Sequence, residues 1–217
     1  MTADHRFSTL LDAARSGWEQ RSCEDSLLSL ALPIEGIDPL PALPHLANTD
    51  AFRFLWDCAP GLSLAASGRC QHLELAGLRR FELAQRFCDV TLGRLIDATP
   101  ATHPQARAKV LLAFSFFEQS DERALPSSVP SVQAVLPRWQ LSRQGQRGWL
   151  RINGTVSDIA DARELAEQLW LKTRELEAHP GGPPLQTSAP IPIPGRLAAK
   201  PWQDRYRQAL DRALELV

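Results

Sequence analysis

The stretch QAVLPRWQLSRQGQRGWLRI, residues 133–152, decides the fold of this chain. Its two ends, Gln133–Leu141 and Trp149–Ile152, are rich in the branched and aromatic residues that favour strands. Between them, residues 143–148 contain two glycines among polar residues, which is a composition typical of a tight turn. The stretch therefore predicts a β-hairpin.

Further strands are predicted on the N-terminal side of this hairpin. Four segments show apolar runs or alternation at strand length, and they are residues 27–34, 52–56, 62–68 and 109–117. The last of them has the apolar character of a central strand. A Pro60-Gly61 turn separates 52–56 from 62–68, so these two are predicted to pair antiparallel. The chain is therefore expected to contain a mostly antiparallel sheet.

Three helices are predicted from apolar residues spaced three and four apart. They cover residues 7–18, 78–96 and 159–177. Ser157 or Asp158 can cap the third helix, and the second is expected to pack across one face of the sheet. Because helices and antiparallel strands are mixed along the chain, the predicted class is α+β, with an antiparallel sheet flanked by helices.

Proline, glycine and asparagine mark the breaks between these elements. Asp38–Pro41 and Asn153-Gly154 are each predicted to form a turn, the second with a positive φ. Residues 179–200 are rich in proline and glycine, so they predict a linker after an α+β region of residues 1–178. Residues 201–217 then predict a final helix with an apolar stripe of Trp202, Tyr206, Leu210, Ala213, Leu214 and Val217.

Composition and charge narrow the function classes. The chain has 217 residues, of which 44% are hydrophobic and 23% charged, as in an ordinary globular protein. Its 24 basic and 25 acidic residues give a net charge of -1, so no overall field favours nucleic acid or an anionic membrane as a partner. No apolar run approaches the length of about 20 residues that a bilayer requires. Because the start of the chain has no secretory signal, we expect a cytoplasmic protein.

The residues alone identify no catalytic, cofactor-binding or metal-ligating site. No phosphate-binding loop, zinc motif or nucleophile motif is present, and the 145–148 stretch predicts a hairpin loop instead. Arg79-Arg80 predicts a solvated helix face. Free thiols are predicted at Cys23, Cys58, Cys70 and Cys88, surface imidazoles at His5, His45, His72, His103 and His179, and packing roles at Trp139, Trp149, Trp170 and Trp202.

Several stretches, in the same order along the chain, resemble the isochorismate synthases among the chorismate-utilising enzymes. The strand 62–68 with Gly77-Leu78-Arg79-Arg80-Phe81 is similar to that family's N-terminal strand and helix start, and Asp38-Pro39-Leu40 and 52–56 resemble the segments before it. Residues 112–117 resemble its central strand, and residues 135–141 resemble its Leu-Pro-Arg strand. The sequence of this second stretch is similar to that of the cyanobacterial branch. The resemblance covers roughly residues 27–217. One departure is Leu112-Ala113, where the family usually carries a Gly-Gly pair.

The resemblance implies a reaction and also where its residues lie. Isochorismate synthases convert chorismate to isochorismate for menaquinone or phylloquinone synthesis, with Mg²⁺ held by glutamates, a lysine that activates water and a glutamic acid that assists departure of the hydroxyl. The family pattern places all of these residues after Val217, and residues 201–217 resemble the helix that leads into the catalytic region. This chain alone is therefore expected to be inactive and to hold no Mg²⁺, and its packing partner is expected to be the missing C-terminal half.

Other functions remain open at this point. Anthranilate or aminodeoxychorismate synthase component I shares the fold but carries a Leu-Leu-Glu-Ser segment, whereas here Leu27-Leu28 is followed by Ser29-Leu30. A salicylate synthase would look alike in this half. From a different class, the chain could be a non-catalytic binding or scaffold module whose final apolar stripe docks a partner helix.

Overall fold

The computed structural model describes residues 3–21, 26–46, 52–57, 61–99, 103–115 and 130–178. These residues form four α-helices, seven strands and one short 3₁₀ helix, Pro104–Ala106. The helices are α1 (Ala3–Glu19), α2 (Pro39–Leu46), α3 (Arg80–Gly93) and α4 (Ile159–Ala178). The strands are β1 (Leu27–Glu35), β2 (Arg53–Asp57), β3 (Ser63–Leu75), β4 (Leu95–Asp97), β5 (Leu111–Phe114), β6 (Val132–Gln144) and β7 (Arg147–Thr155).

The described strands form one sheet in the order β2-β3-β6-β7-β1-β4, and β5 pairs with β6. All pairings are antiparallel except that of β1 with β4. The long strand β6 shares one of its sides between two partners, because β5 pairs with its first residues and β7 with its last. The α+β class and the mostly antiparallel sheet are confirmed.

The predicted hairpin is the joint between β6 and β7. Its turn is shorter than predicted, because Gln144 already pairs with Arg147 and only Gly145 and Gln146 remain between the strands. Gly145 has a φ of 60°, which a residue without a Cβ adopts at little cost. Thus the hairpin prediction is confirmed, and residues 145–148 form its turn and the start of β7.

The apolar core lies between one face of the sheet and the helices α1, α2 and α4. Alternate residues of the central strands point to this side because strand side chains alternate between the faces. The strands contribute Leu28, Leu30, Leu32, Ile34, Ala65, Trp139, Leu141, Leu150 and Ile152. The helices contribute, among others, Leu10, Ala14, Ala42, Leu46, Leu165, Ala166 and Leu169. The helices predicted at 7–18 and 159–177 are therefore confirmed, with their apolar stripes buried.

The start of α4 confirms the predicted cap. Asp158 Oδ1 accepts a hydrogen bond from the Asp161 amide at 2.9 Å, and Asp161 Oδ2 accepts one from the Ser157 amide at 2.8 Å. Two amide donors that no helical carbonyl could reach are thereby satisfied. The amide of Ser157 lowers the pKa of the Asp161 carboxyl from its usual value.

The predicted helix 78–96 is shorter than its apolar spacing suggested. The helix α3 ends at Gly93, and Leu95–Asp97 forms β4, parallel to the start of β1. Leu27 N donates to Arg94 O at 3.0 Å, so the edge of β1 draws this segment out of the helix. Tertiary pairing here overrides local propensity. Only Arg80, Ala84 and Thr91 of α3 are buried, so it covers the sheet less completely than predicted.

Two predictions on the N-terminal side were wrong in their details. Asp38–Pro41 begins α2 instead of forming an isolated turn, because Asp38 Oδ1 accepts from Leu40 N at 2.9 Å and proline is tolerated in the first helical turn. The strand predicted at 62–68 continues to Leu75. Gly68, with a φ of 68°, stands next to an irregularity between Arg69 and Gln71, so it marks a bulge and not a strand end.

The segment predicted as a central strand lies at an edge. Of residues 109–117, Leu111–Phe114 forms β5, which pairs only with β6 among the described strands. Leu112 and Phe114 are 45% and 42% exposed, so the apolar run does not reflect burial inside the sheet. Residues 116 and 117, the linker 179–200 and the helix 201–217 lie outside the described residues, and the linker and the helix stay predictions.

Candidate functional site

The second face of the sheet holds a buried polar cluster. Ser29, Gln140, Ser142, Arg151 and Asn153 are each 0% exposed. They come from β1, β6 and β7 and alternate along those strands with the core residues of the other face. A sheet face that buries polar side chains needs partners for them. The segment between β4 and β5 supplies several.

Arg151 is the centre of this cluster. Its Nη1 and Nη2 donate to the two carboxylate oxygens of Asp97 at 3.0 and 3.1 Å, which is the bidentate geometry that guanidinium favours. Nη1 also donates to Ser29 Oγ at 2.5 Å, and Nε donates to Ala106 O at 2.8 Å. One side chain thus ties β7 to β1, to β4 and to the short 3₁₀ helix.

Asn153 continues the cluster across the strands. Its Oδ1 accepts a hydrogen bond from Ser29 Oγ at 2.5 Å, and its Nδ2 donates to Pro137 O at 2.8 Å. The prediction of a turn with positive φ at Asn153-Gly154 was therefore wrong. Both residues lie inside β7, and Gly154 has no positive φ. The partners that hold Asn153 in a strand are distant in sequence, so no local sequence pattern indicates them.

The covering segment, residues 103–110 between β4 and β5, is also held by Gln140 and Lys109. Gln140 Oε1 accepts from the Lys109 amide at 3.1 Å, and its Nε2 donates to Arg107 O at 2.9 Å. The Lys109 ammonium donates to Gln105 O at 2.7 Å and to Arg107 O at 3.1 Å. Burial, with a smaller contribution from the charge of Arg151, lowers the pKa of Lys109 from 10.5 to about 8. Such an amine can exchange a proton near neutral pH, but here both observed contacts are loop carbonyls.

An open cleft of about 290 Å³ lies on another part of the sheet, where β2, β3, β5 and β6 meet. Arg69 lies with its guanidinium 5.4 Å from the centre of the Phe52 ring. The guanidinium also approaches Glu74 at 3.9 Å. The lining residues are Phe52, Arg53, Phe54, Arg69, Leu111, Leu112, Ala113, Gln133 and Val135.

The described cysteines and tryptophans, to which the sequence assigned no functional role, lie as predicted. Cys70 and Cys88 are free thiols, and burial raises the pKa of Cys70 to about 11, so this thiol is unreactive at neutral pH. Trp139 lies in the core, Trp149 stacks on His103 at 4.8 Å, and Trp170 packs on Phe7 at 5.6 Å.

The prediction of surface imidazoles was correct for two of the four described histidines. His5 and His72 are exposed, whereas His45 and His103 are half-buried. Cys23, Cys58, His179 and Trp202 lie outside the described residues.

The prediction of a solvated helix face at Arg79-Arg80 was correct for Arg79 and wrong for Arg80. Arg79 is solvated and pairs with Glu82 at 2.6 Å. Arg80 is only 5% exposed, and its guanidinium lies 4.8 Å from the centre of the Phe81 ring. Arg80 is the first residue of α3 and is buried there, which the pair of adjacent basic residues does not reveal.

Sequence reasoning missed the cluster of Ser29, Asp97, Arg151 and Asn153. The sequence gives no local signal of the cluster, because Arg151 alternates with Leu150 and Ile152 as a solvent-facing strand residue ordinarily does. Asp97 directly follows the predicted helix 78–96, where no strand was predicted. Within the described ranges, no group of three or more His, Cys, Asp or Glu side chains could hold a metal ion. No described helix is long and apolar enough to cross a membrane.

Comparison with known proteins identifies the family. The sequence model described as chorismate binding enzyme matches residues 10–217, which is almost the whole chain. The chain belongs to the chorismate binding enzyme family. The prediction of a chorismate-utilising enzyme is thus confirmed, while the isochorismate synthase branch and its cyanobacterial detail stay predictions. Comparison with curated proteins finds no match.

One of the solved structures similar to this family member is MenF, the menaquinone-specific isochorismate synthase from Escherichia coli. The two chains share 17% identity with a TM-score of 0.43, and the match covers 74% of this chain. It covers 33% of the MenF chain, so this chain corresponds to about one third of the length of that enzyme.

Proposed function

We propose that this chain is the N-terminal part of an isochorismate synthase, which converts chorismate to isochorismate for menaquinone or phylloquinone synthesis in the cytoplasm. The observation that carries the proposal is the family match over residues 10–217. The choice of isochorismate synthase within the family rests on the stretches 62–68, 77–81 and 135–141, which resemble that branch in order and spacing.

In this proposal the reacting groups belong to a second half of the protein, outside these 217 residues. The described residues do not fit a magnesium site, because they bring no three carboxylates, imidazoles or thiols together. Chorismate and Mg²⁺ are proposed to bind to the second half.

The role of this chain is then to supply a rigid platform. The Arg151 hydrogen bonds fix β1, β4, β7 and the covering segment relative to one another. A surface for the second half is available on α3 and β5, where Phe81 and Phe114 lie 5.0 Å apart between ring centres. Exposed apolar side chains in water forgo stabilisation that a packing partner would provide. The exposed apolar residues of this α3–β5 patch are Leu78, Phe81, Leu112 and Phe114.

The test is a product analysis on the chain joined to the rest of its reading frame. Incubation with chorismate and Mg²⁺, with and without an ammonium salt, followed by chromatographic separation, distinguishes isochorismate from anthranilate, aminodeoxychorismate and salicylate. Isochorismate as the Mg²⁺-dependent product supports the proposal. An ammonium-dependent amino product or salicylate would replace it with the corresponding synthase.

The non-catalytic alternative has its own outcome. A stop codon directly after Val217, together with no conversion of chorismate by the complete product, would favour a binding or scaffold module.

The α3–β5 patch is tested with Phe81→Ser in the full-length protein, a substitution that alters the patch without removing any buried side chain. If the patch packs against the second half, this variant loses more thermal stability in the full-length protein than in the 217-residue chain, where only the ring contacts with Phe114 and Arg80 are removed.

A further inference from the structure

The strand β2, Arg53–Asp57, stands at one edge of the sheet. Its inner side pairs with β3, and no other described strand pairs with it. Two large apolar side chains of this strand are exposed, Leu55 at 37% and Trp56 at 56%. Proteins protect such edges with lysine, proline, a bulge, short length or charged side chains, and β2 has only the last two, with five residues and one charge at each end.

The backbone of β2 offers hydrogen bonds on its outer side. Gly68 N donates to Phe52 O at 3.1 Å, so Phe52 faces β3. In an antiparallel pair the residues alternate between facing the partner strand and facing away from it. Arg53, Leu55 and Asp57 therefore direct their amide and carbonyl groups away from β3, to the side where no described strand pairs with β2.

The sequence of this edge is complementary to itself. In an antiparallel pair of two β2 strands centred on Leu55, Arg53 of one copy stands opposite Asp57 of the other. Phe54 likewise stands opposite Trp56. Opposite charges and aromatic pairs directly across two strands are the combinations that stabilise antiparallel pairing. We propose that β2 pairs with β2 of a second copy of this chain, antiparallel and centred on Leu55, so that one sheet continues through a symmetric dimer.

The geometry of Asp57 suits this role. Ser63 Oγ donates to Asp57 Oδ1 at 2.5 Å, which holds the carboxylate at the exposed end of the strand. Oδ2 takes no part in that bond, and in the proposed dimer it would receive the guanidinium of Arg53 from the second copy. Because both ion pairs of the dimer arise from the same two residues, one charge reversal reverses both contacts.

The interface is small, since it consists of a five-residue strand and its neighbours. Small interfaces give weak, concentration-dependent association. The test is therefore sedimentation analysis of the 217-residue chain over a range of concentrations. A monomer–dimer equilibrium in the micromolar range is expected for the unaltered chain. Arg53→Asp or Asp57→Arg alone should weaken dimerisation by at least about tenfold, because each places like charges opposite each other twice.

Restoration of the charge pairs separates this arrangement from other dimers. The double variant Arg53→Asp/Asp57→Arg recreates the pairs in reversed order, and it should dimerise as the unaltered chain does. Mixing the two single variants should yield a heterodimer, because one strand then carries acidic residues at both ends and the opposite strand carries basic residues at both ends. Circular dichroism and thermal unfolding of every variant show whether each one is folded.

Three results would overturn the proposal. A chain that stays monomeric over the whole concentration range has no such dimer. A dimer that neither single reversal weakens uses another surface. Protection of the Leu55 amide from hydrogen exchange in the monomer would show that a segment of the same chain covers the edge.

Discussion

Arg151 and Asp97 form an ion pair in which only the arginine is fully removed from water, since its side chain is 0% exposed and that of Asp97 is 29% exposed. Removing one partner of such a pair leaves an uncompensated buried charge, which costs more than the pair itself contributes. We expect Asp97→Asn to lower the free energy of unfolding by about 2 to 3 kcal/mol in urea denaturation.

The matched control is an exposed pair on α4. Arg163 and Glu167 lie 2.8 Å apart with side chains 71% and 41% exposed, so Glu167→Gln should cost less than about 0.5 kcal/mol. Equal effects of the two substitutions would contradict the central role given to Arg151.

The lowered pKa of Lys109 predicts how the stability of the chain depends on pH. Its pKa is lowered to about 8 in the folded chain from an ordinary 10.5, so between these values the unfolded chain binds the proton and the folded chain does not. Stability therefore rises with pH across this window, and below it the contribution is an unfavourable one. Urea denaturation at increasing pH should show this rise in the difference between the unaltered chain and Lys109→Met, because the raised pKa of Cys70 lowers the stability of both from about pH 9 upward. A variant whose stability follows the pH as the unaltered chain does would refute the assignment.

At the scale of single elements, α4 depends on its first turn. Asp158→Ala removes the acceptor for the Asp161 amide, and such a loss typically costs about 1 kcal/mol. Asp158→Asn keeps an acceptor of the same shape and should cost much less. Thermal unfolding of the two variants compares them directly, and equal losses would indicate that the charge near the helix dipole matters more than the hydrogen bond.

The elements also show which structure the sequence could predict. Helices α1 and α4 and the β6–β7 hairpin carry their information locally, in apolar spacing, a capping aspartate and a glycine turn. The strand β4 does not, because Leu95 and Ile96 fit a helix until β1 offers hydrogen bonds at its edge. The polar cluster was missed for the same reason. Ser29, Asp97 and Arg151 come from three separate strands, and only the fold brings them together.

For the whole molecule, the proposed division into two halves predicts an inactive chain. These 217 residues should neither bind Mg²⁺ tightly nor convert chorismate, because the described residues provide no cluster of carboxylates. Calorimetric titration with Mg²⁺ and with chorismate, followed by product analysis, measures both. Saturable heat together with isochorismate would show that the active site lies within this chain after all.

The position of β1 in the sheet has a consequence for how the chain is made. β1 is synthesised early, yet its neighbours are β4 and β7, and Leu27 pairs with Leu95 and with Thr155, which lie much later in the chain. On the ribosome its apolar residues therefore emerge long before their hydrogen-bonding partners. Topologies dominated by such distant pairings have high contact order, so they fold slowly and expose aggregation-prone strands for longer. The nascent chain is thus expected to depend on chaperones until β7 has left the exit tunnel.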